Sequence, residues 1–153
     1  MLNGSVEKVF PLFGPLREKE WAEGWDPEVI YASSPGVLVE EHMIFKTHAH
    51  QNPHEEFYTW VITQYQPEDH MIEYTVSTQH RIWFIRVACV SSGASTRATV
   101  SYTFTSLTPE VSELNRAALE RMFEHNLSDW EEAINYYLRT GRQLLPIATG
   151  THR

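Results

Sequence analysis

The stretch TRATVSYTFTSL (96–107) alternates with a period of two. Val100, Tyr102 and Phe104 fall on one side, and Thr99, Ser101, Thr103 and Thr105 on the other. Successive side chains of a strand point to opposite faces, so this is a half-buried strand, apolar inward and hydroxyl outward. A sheet of such strands has one apolar face, which another layer must cover.

The same period recurs through the middle of the chain. EVIYAS (28–33), VLVEEHMIFKTHAH (37–50), FYTWVITQY (57–65), MIEYTVST (71–78) and RIWFIRVACV (81–90) read as strands, separated by turn-forming clusters such as Ser34-Pro35-Gly36. Ahead of them, GSVEKVFPLFG (4–14) sets Val6, Val9, Phe10 and Phe13 at helical spacing behind Ser5 as a cap, and PLREKEWAEGW (15–25) reads as a second short helix stopped by Gly24. After them, Thr108-Pro109-Glu110 has the chemistry of a helix start. Three-four spacing then carries through Val111, Leu114, Ala118, Met122, Phe123, Leu127, Trp130, Ile134 and Tyr137 to a stop at Gly141. Residues 142–153 have no pattern and read as a loose tail. The expected fold class is α+β: a curved antiparallel sheet of about six to seven strands wrapped on a long C-terminal helix, with two short helices near the N-terminus. No linker or repeat divides residues 1–153, so one domain is expected.

Twelve basic against twenty acidic residues give a net charge of −8, and no basic run occurs. This argues against nucleic-acid binding, which needs clustered Lys and Arg. The single cysteine, Cys89, permits no internal disulfide and sits in an apolar strand as a packed thiol. No apolar run approaches the length of a membrane span and no leader pattern opens the sequence, so a cytoplasmic protein without membrane insertion is expected.

GSVEKVFPLFGPLREKEWAEGWDPEVIY, with its W-x-x-G-W-x-P ending, resembles the opening of bacterial proteins of the SRPBCC superfamily, the START-like or birch-pollen-allergen-like helix-grip fold. MIFKT (43–47), TWVITQYQP (59–67), TVSYTFTSL (99–107) and WEEAINYYL (130–138) match in order. The resemblance points to a subgroup labelled polyketide cyclase or dehydrase, a label that rests on fold analogy. It implies a cavity between sheet and helix. One departure stands out: the family's first strand normally precedes GSVEKVF, and here only Met1, Leu2 and Asn3 do. Either the gene start is set too late or the chain lacks the strand; if it lacks it, the TVSYTFTSL strand has an exposed edge, and a homodimer through it is an expectation.

Alternation gives the residues facing such a cavity. The expected ligand-binding set is Phe45, Trp60, Ile62, Tyr74, Trp83, Tyr102 and Phe104 from the sheet, with Leu119, Phe123, Leu127 and Trp130 from the helix. Met43, Ile72, Val76 and Val100 share the inner face. In RIWFIRVACV both parities are apolar. Trp83, Ile85, Val87 and Cys89 are placed inward because the other parity carries Arg86. Tyr74 and Tyr102 supply the polar handles, since buried hydroxyls need partners.

The histidine-rich stretch KTHAHQNPHEEF (46–57) raises metal binding. With Phe45 inward, His42, Lys46, His48 and His50 share the outer, polar face, where the lysine disfavours a divalent cation; His54 lies in the turn. They read as solvated histidines, with no metal and no cofactor expected. No nucleophile elbow, H-E-x-x-H, P-loop or G-x-G-x-x-G occurs. No residue is assigned to catalysis. Acid–base candidates are His80, His125 and Glu41. The expected function is binding of a hydrophobic or aromatic small molecule, lipid- or polyketide-like, in the cavity. The alternatives are a polyketide cyclase or dehydratase using that cavity, and an interaction module using the exposed edge.

Overall fold

The computed structural model describes residues 1–48, 57–79, 81–106 and 127–145. Six strands form one antiparallel sheet in the order of the chain: β1 (Glu28–Tyr31), β2 (Ile44–His48), β3 (Phe57–Gln66), β4 (Met71–Ser77), β5 (Arg81–Ser92) and β6 (Ser95–Ser106). A seventh strand is not among the described residues. In its place Leu2 makes a single antiparallel bridge to Thr96, with N–H to carbonyl distances of 2.8 Å in both directions.

The inner face is built in rows across the strands. Phe45, Trp60, Val76, Trp83 and Phe104 are consecutive partners across β2 to β6. Ile62, Tyr74, Ile85 and Tyr102 form the next row, and Ile72, Val87 and Val100 the one below. Trp83, Ile85, Val87 and Cys89 are all buried, while Phe84, Arg86 and Val90 on the other parity are exposed. A bulge between Ile62 and Gln64 shifts the register of β3, so Tyr65 pairs with Ile72 and Gln64 with Glu73. Bulges change which side chains face inward, and simple alternation along FYTWVITQY misses this one. β5 and β6 are joined by Gly93-Ala94, with Gly93 at φ +65°, as a two-residue hairpin with glycine first requires.

Several local expectations shift. The first helix is one α-helical turn, α1 (Val6–Val9), running into a 3-10 turn over Phe10–Phe13 with Pro11 near its start, and the Ser5 hydroxyl makes no capping bond. The second short helix is reduced to a 3-10 turn, Arg17–Glu20. The long strand over 37–50 begins only at Ile44. Glu40 accepts hydrogen bonds from the Ser33 amide and hydroxyl (2.5 and 2.7 Å), and His42 adopts the left-handed conformation (φ +72°), so the preceding segment is a closed loop.

The C-terminal helix α2 (Leu127–Thr140) buries Ala133 and Ile134 and ends at Gly141 (φ +72°), whose amide donates to the Tyr137 carbonyl at 2.7 Å. Its expected beginning at Pro109 lies outside the described residues. α2 rests on the N-terminal segment: the Asn3 amide donates to Asn135 Oδ1 (2.8 Å), the Met1 ammonium pairs with Glu131, and Tyr137 donates to Glu20.

Phe45 is wholly buried at the centre of the aromatic row, whereas Val90 is 62% exposed on the opposite parity. Phe45→Ala should therefore cost about 3–5 kcal/mol and Val90→Thr no more than about 0.5 kcal/mol, read from urea unfolding midpoints.

Candidate ligand site

The inner face divides into a filled half and a more open half. In the filled half, Phe45, Trp60 and Tyr74 pack on one another and on Trp25. The centroid distances are 5.5 Å for Phe45–Trp60, 5.7 Å for Trp60–Tyr74 and 5.3 Å for Trp25–Trp60. Ile62 is completely buried in the adjoining row. On the β5–β6 side, Trp83 and Phe104 stack in parallel at 5.3 Å, Tyr58 meets the edge of Trp83 at 5.5 Å, and Tyr102 is buried in the next row. Trp130 of α2 packs edge-on against Trp21 at 6.3 Å. Leu119 and Phe123 lie outside the described residues, as does the side chain of Leu127.

A cleft of about 300 Å³ opens between β6, α2 and the N-terminal segment. Leu2, Phe13, Ala98, Val100, Trp130 and Ile134 line it, and Ser128 and Glu131 add polar groups. Among the described residues of the sequence-derived ligand set, only Trp130 borders it. Val100, expected on the inner face, does so as well.

The polar groups within this apolar setting are few. The Tyr74 hydroxyl donates to the Phe13 carbonyl at 2.6 Å. Burial, and then the neighbouring Glu18 and Tyr65, push its phenol well above the usual range. Burial raises Tyr102 also, with Glu18 again the second cause. Glu18 is thus placed near both phenols. Part of this residue is exposed, but its carboxyl lies in the low-dielectric interior, and burial pushes it well above the usual carboxylate range. Arg81 is buried on the inner face, its guanidinium 4.8 Å from the Trp83 ring centroid and 5.8 Å from that of Phe104. The indole N–H groups of Trp21, Trp25 and Trp60 donate to the Leu12 carbonyl (2.8 Å), the Pro15 carbonyl (2.6 Å) and Thr47 Oγ1 (3.0 Å). Trp83 Nε1 is buried with no acceptor among the described residues. A buried donor left so costs about 1–3 kcal/mol.

Glu18 and Arg81 are absent from the sequence-derived set. Arg81 was legible: the parity that turns Trp83 inward turns Arg81 inward too. Glu18 sits in a run of alternating charges, REKE, which reads as solvated. Cys89 is pushed up to about 12 by burial, which makes it a poor nucleophile at neutral pH. Glu41, an acid–base candidate, is exposed and accepts from the Tyr65 amide at 3.3 Å, so it faces away from the cleft. His42 and His48 are exposed, and Lys46 reaches Glu28 at 3.6 Å. His50, His54, His80 and His125 lie outside the described residues. Among the described residues no three His, Cys, Asp or Glu side chains converge as metal ligands, and no helix is long and apolar enough to cross a membrane.

No protein-family model matches the chain, and no curated sequence does. Solved structures do. Norcoclaurine synthase from Thalictrum flavum, in complex with dopamine and hydroxybenzaldehyde, superimposes with a TM-score of 0.61 at 12% identity, covering 90% of this chain and 82% of that one. A point mutant of the same enzyme with a transition-state analogue gives 0.62 at 12% identity, covering 92% and 90%. A structural-genomics target from Chromobacterium violaceum gives 0.52 at 12% identity, covering 88% and 93%. At this identity the likeness establishes the fold: the chain has the helix-grip architecture.

Glu18 yields a pH prediction. A carboxyl whose pKa rises on folding holds its proton longer in the folded state, so stability is greatest below its unfolded value, about 4.3, and falls as pH rises above it. Glu18→Gln should match the parent in thermal stability near pH 4 and exceed it at pH 7–8. A constant difference across that range would contradict a buried, proton-retaining carboxyl.

Proposed function

We propose that the chain binds a hydrophobic or aromatic small molecule, lipid- or polyketide-like, between the inner face of the sheet and the C-terminal helix. The cleft of about 300 Å³, in which apolar side chains such as Phe13, Val100 and Trp130 meet the polar Ser128 and Glu131, carries this reading. Binding sites are concave, mostly apolar and provided with a few polar groups that orient the ligand, and cleft and inner face together answer that description. On this reading Trp83, Tyr102, Phe104 and Trp130 contact the ligand, and Phe45, Trp60, Ile62 and Tyr74 form the floor beneath it, joined by the expected Leu119, Phe123 and Leu127. The likeness to an enzyme solved with two aromatic molecules supports the choice of ligand class by analogy of fold.

A second reading, catalysis of the cyclase or dehydratase type, is favoured by one observation. Glu18, whose carboxyl burial pushes well above the usual carboxylate range, lies near the phenols of Tyr74 and Tyr102, and a carboxyl group that keeps its proton longer is suited to donate it to a carbonyl oxygen or a leaving hydroxyl. Loss of turnover in Glu18→Gln with binding intact would separate catalysis from carriage.

Titration with the uncharged dye N-phenyl-1-naphthylamine tests the binding reading. Saturable fluorescence enhancement near one dye per chain is expected, and Ala98→Trp, which fills the cleft from β6, should weaken it by about tenfold, the effect of losing a modest apolar contact area. A parent protein that gives no saturable signal would overturn the reading.

A further inference from the structure

Residues 1–4 bridge β6 to α2, and Met1 and Leu2 of this strap line the cleft. Its two sides are held very differently. On the β6 side, Leu2 and Thr96 exchange two backbone hydrogen bonds of 2.8 Å, and the Thr96 hydroxyl donates to the Gly4 carbonyl at 2.8 Å. Leu2 is 4% exposed and Thr96 is wholly buried. On the α2 side, the strap's hydrogen bonds among the described residues both run through one side chain. Asn135 Oδ1 accepts from the Asn3 amide at 2.8 Å, and Asn135 Nδ2 donates to the Met1 carbonyl at 3.2 Å. Asn135 is half-buried, and Met1 and Asn3 are exposed. The pair between the Met1 ammonium and Glu131 joins two exposed groups and adds little. Hydrogen bonds that water can reach open more readily than buried ones. The strap therefore stays with the sheet and parts first from the helix. Further along α2, Tyr137 donates to Glu20, whose other oxygen accepts from Arg17 Nε at 2.6 Å, so the end of the helix stays in place.

We propose that the Asn135 clasp is the gate of the cleft: a ligand enters and leaves where residues 1–3 part from α2, while Leu2 stays paired with β6. The inference rests on the cavity-binding reading and adds control of ligand exchange to it. Asn135 is not among the residues lining the cleft, whereas its helix neighbours Glu131 and Ile134 are. It therefore acts on how often the seam opens and not through contact with the ligand. Both bonds pass through a single amide, so one substitution removes the clasp and leaves the cleft lining as it was.

The test is stopped-flow fluorescence of N-phenyl-1-naphthylamine binding to the full chain. Asn135→Ala should raise the association and dissociation rates together by about tenfold, with Kd changed by no more than about threefold, as loss of about one net hydrogen bond from the closed seam requires. Alanine is a good helix former, so α2 is retained. Asn135→Asp keeps the acceptor and loses the donor, and its rates should fall between those of parent and alanine variant. Amide hydrogen exchange reads the seam without ligand. In the parent the Asn3 amide should exchange faster than the Leu2 amide, and Asn135→Ala should speed Asn3 further while Leu2 keeps its protection. Unchanged rates in Asn135→Ala with the dye still bound, a weaker Kd at constant association rate, or equal protection of the two amides overturns the gate and leaves the cavity reading intact. A parent that gives no saturable dye signal overturns the cavity reading, and the gate with it.

Discussion

The structure depends on how the N-terminal segment is pinned over the apolar face of the sheet. Between residues 10 and 20 the chain forms two 3-10 turns, Phe10–Phe13 and Arg17–Glu20, rather than a full helix, so several buried carbonyls lack intrahelical partners. Three aromatic side chains supply them: Trp21 donates to Leu12, Trp25 to Pro15, and Tyr74 from the middle of β4 to Phe13. Each donor also brings a large apolar ring into the core. The same residues thus satisfy the segment's polar backbone and fill the space beneath it. Tyr74 is the member that ties segment to sheet, across 61 positions of sequence.

Two consequences follow for the site. Trp25 reaches into the Phe45–Trp60–Tyr74 group and closes that half of the inner face, which displaces the open volume towards β6 and α2. The same docking sets the Arg17–Glu20 turn against the interior and places the Glu18 carboxyl beside Tyr74 and Tyr102, where a charge is disfavoured. Burial thereby raises the Glu18 carboxyl well above the usual carboxylate range in a setting otherwise dominated by aromatic side chains.

Much of this fold was legible in the sequence. Strand parity through β5 and β6 was readable because each carries a marker: the hydroxyl face of β6, and Arg86 on β5, which decides between two otherwise apolar faces. Gly141 marked the helix end because a left-handed residue was needed there. What failed was chemistry between distant residues. Val37–Met43 alternates like a strand, yet Glu40 bonding to Ser33 and the left-handed His42 hold it as a loop. The bulge in β3 has no local signature in TWVITQY. The placement of the cleft was not readable either, because volume depends on how the N-terminal segment docks, and Trp25 could not be ranked against Trp60 or Trp83 by spacing. Arg81 was overlooked because a charge at a strand's first position reads as solvated, although its parity was already known.

The most direct measurement is native mass spectrometry of the protein purified from its own host, followed by extraction and identification of what it carries. A hydrophobic molecule retained at near one copy per chain and released on unfolding is the expected result. A chain that arrives empty, gains no mass when incubated with apolar ligands and runs as a stable dimer would contradict the cavity as the seat of function and turn attention to the β6 edge.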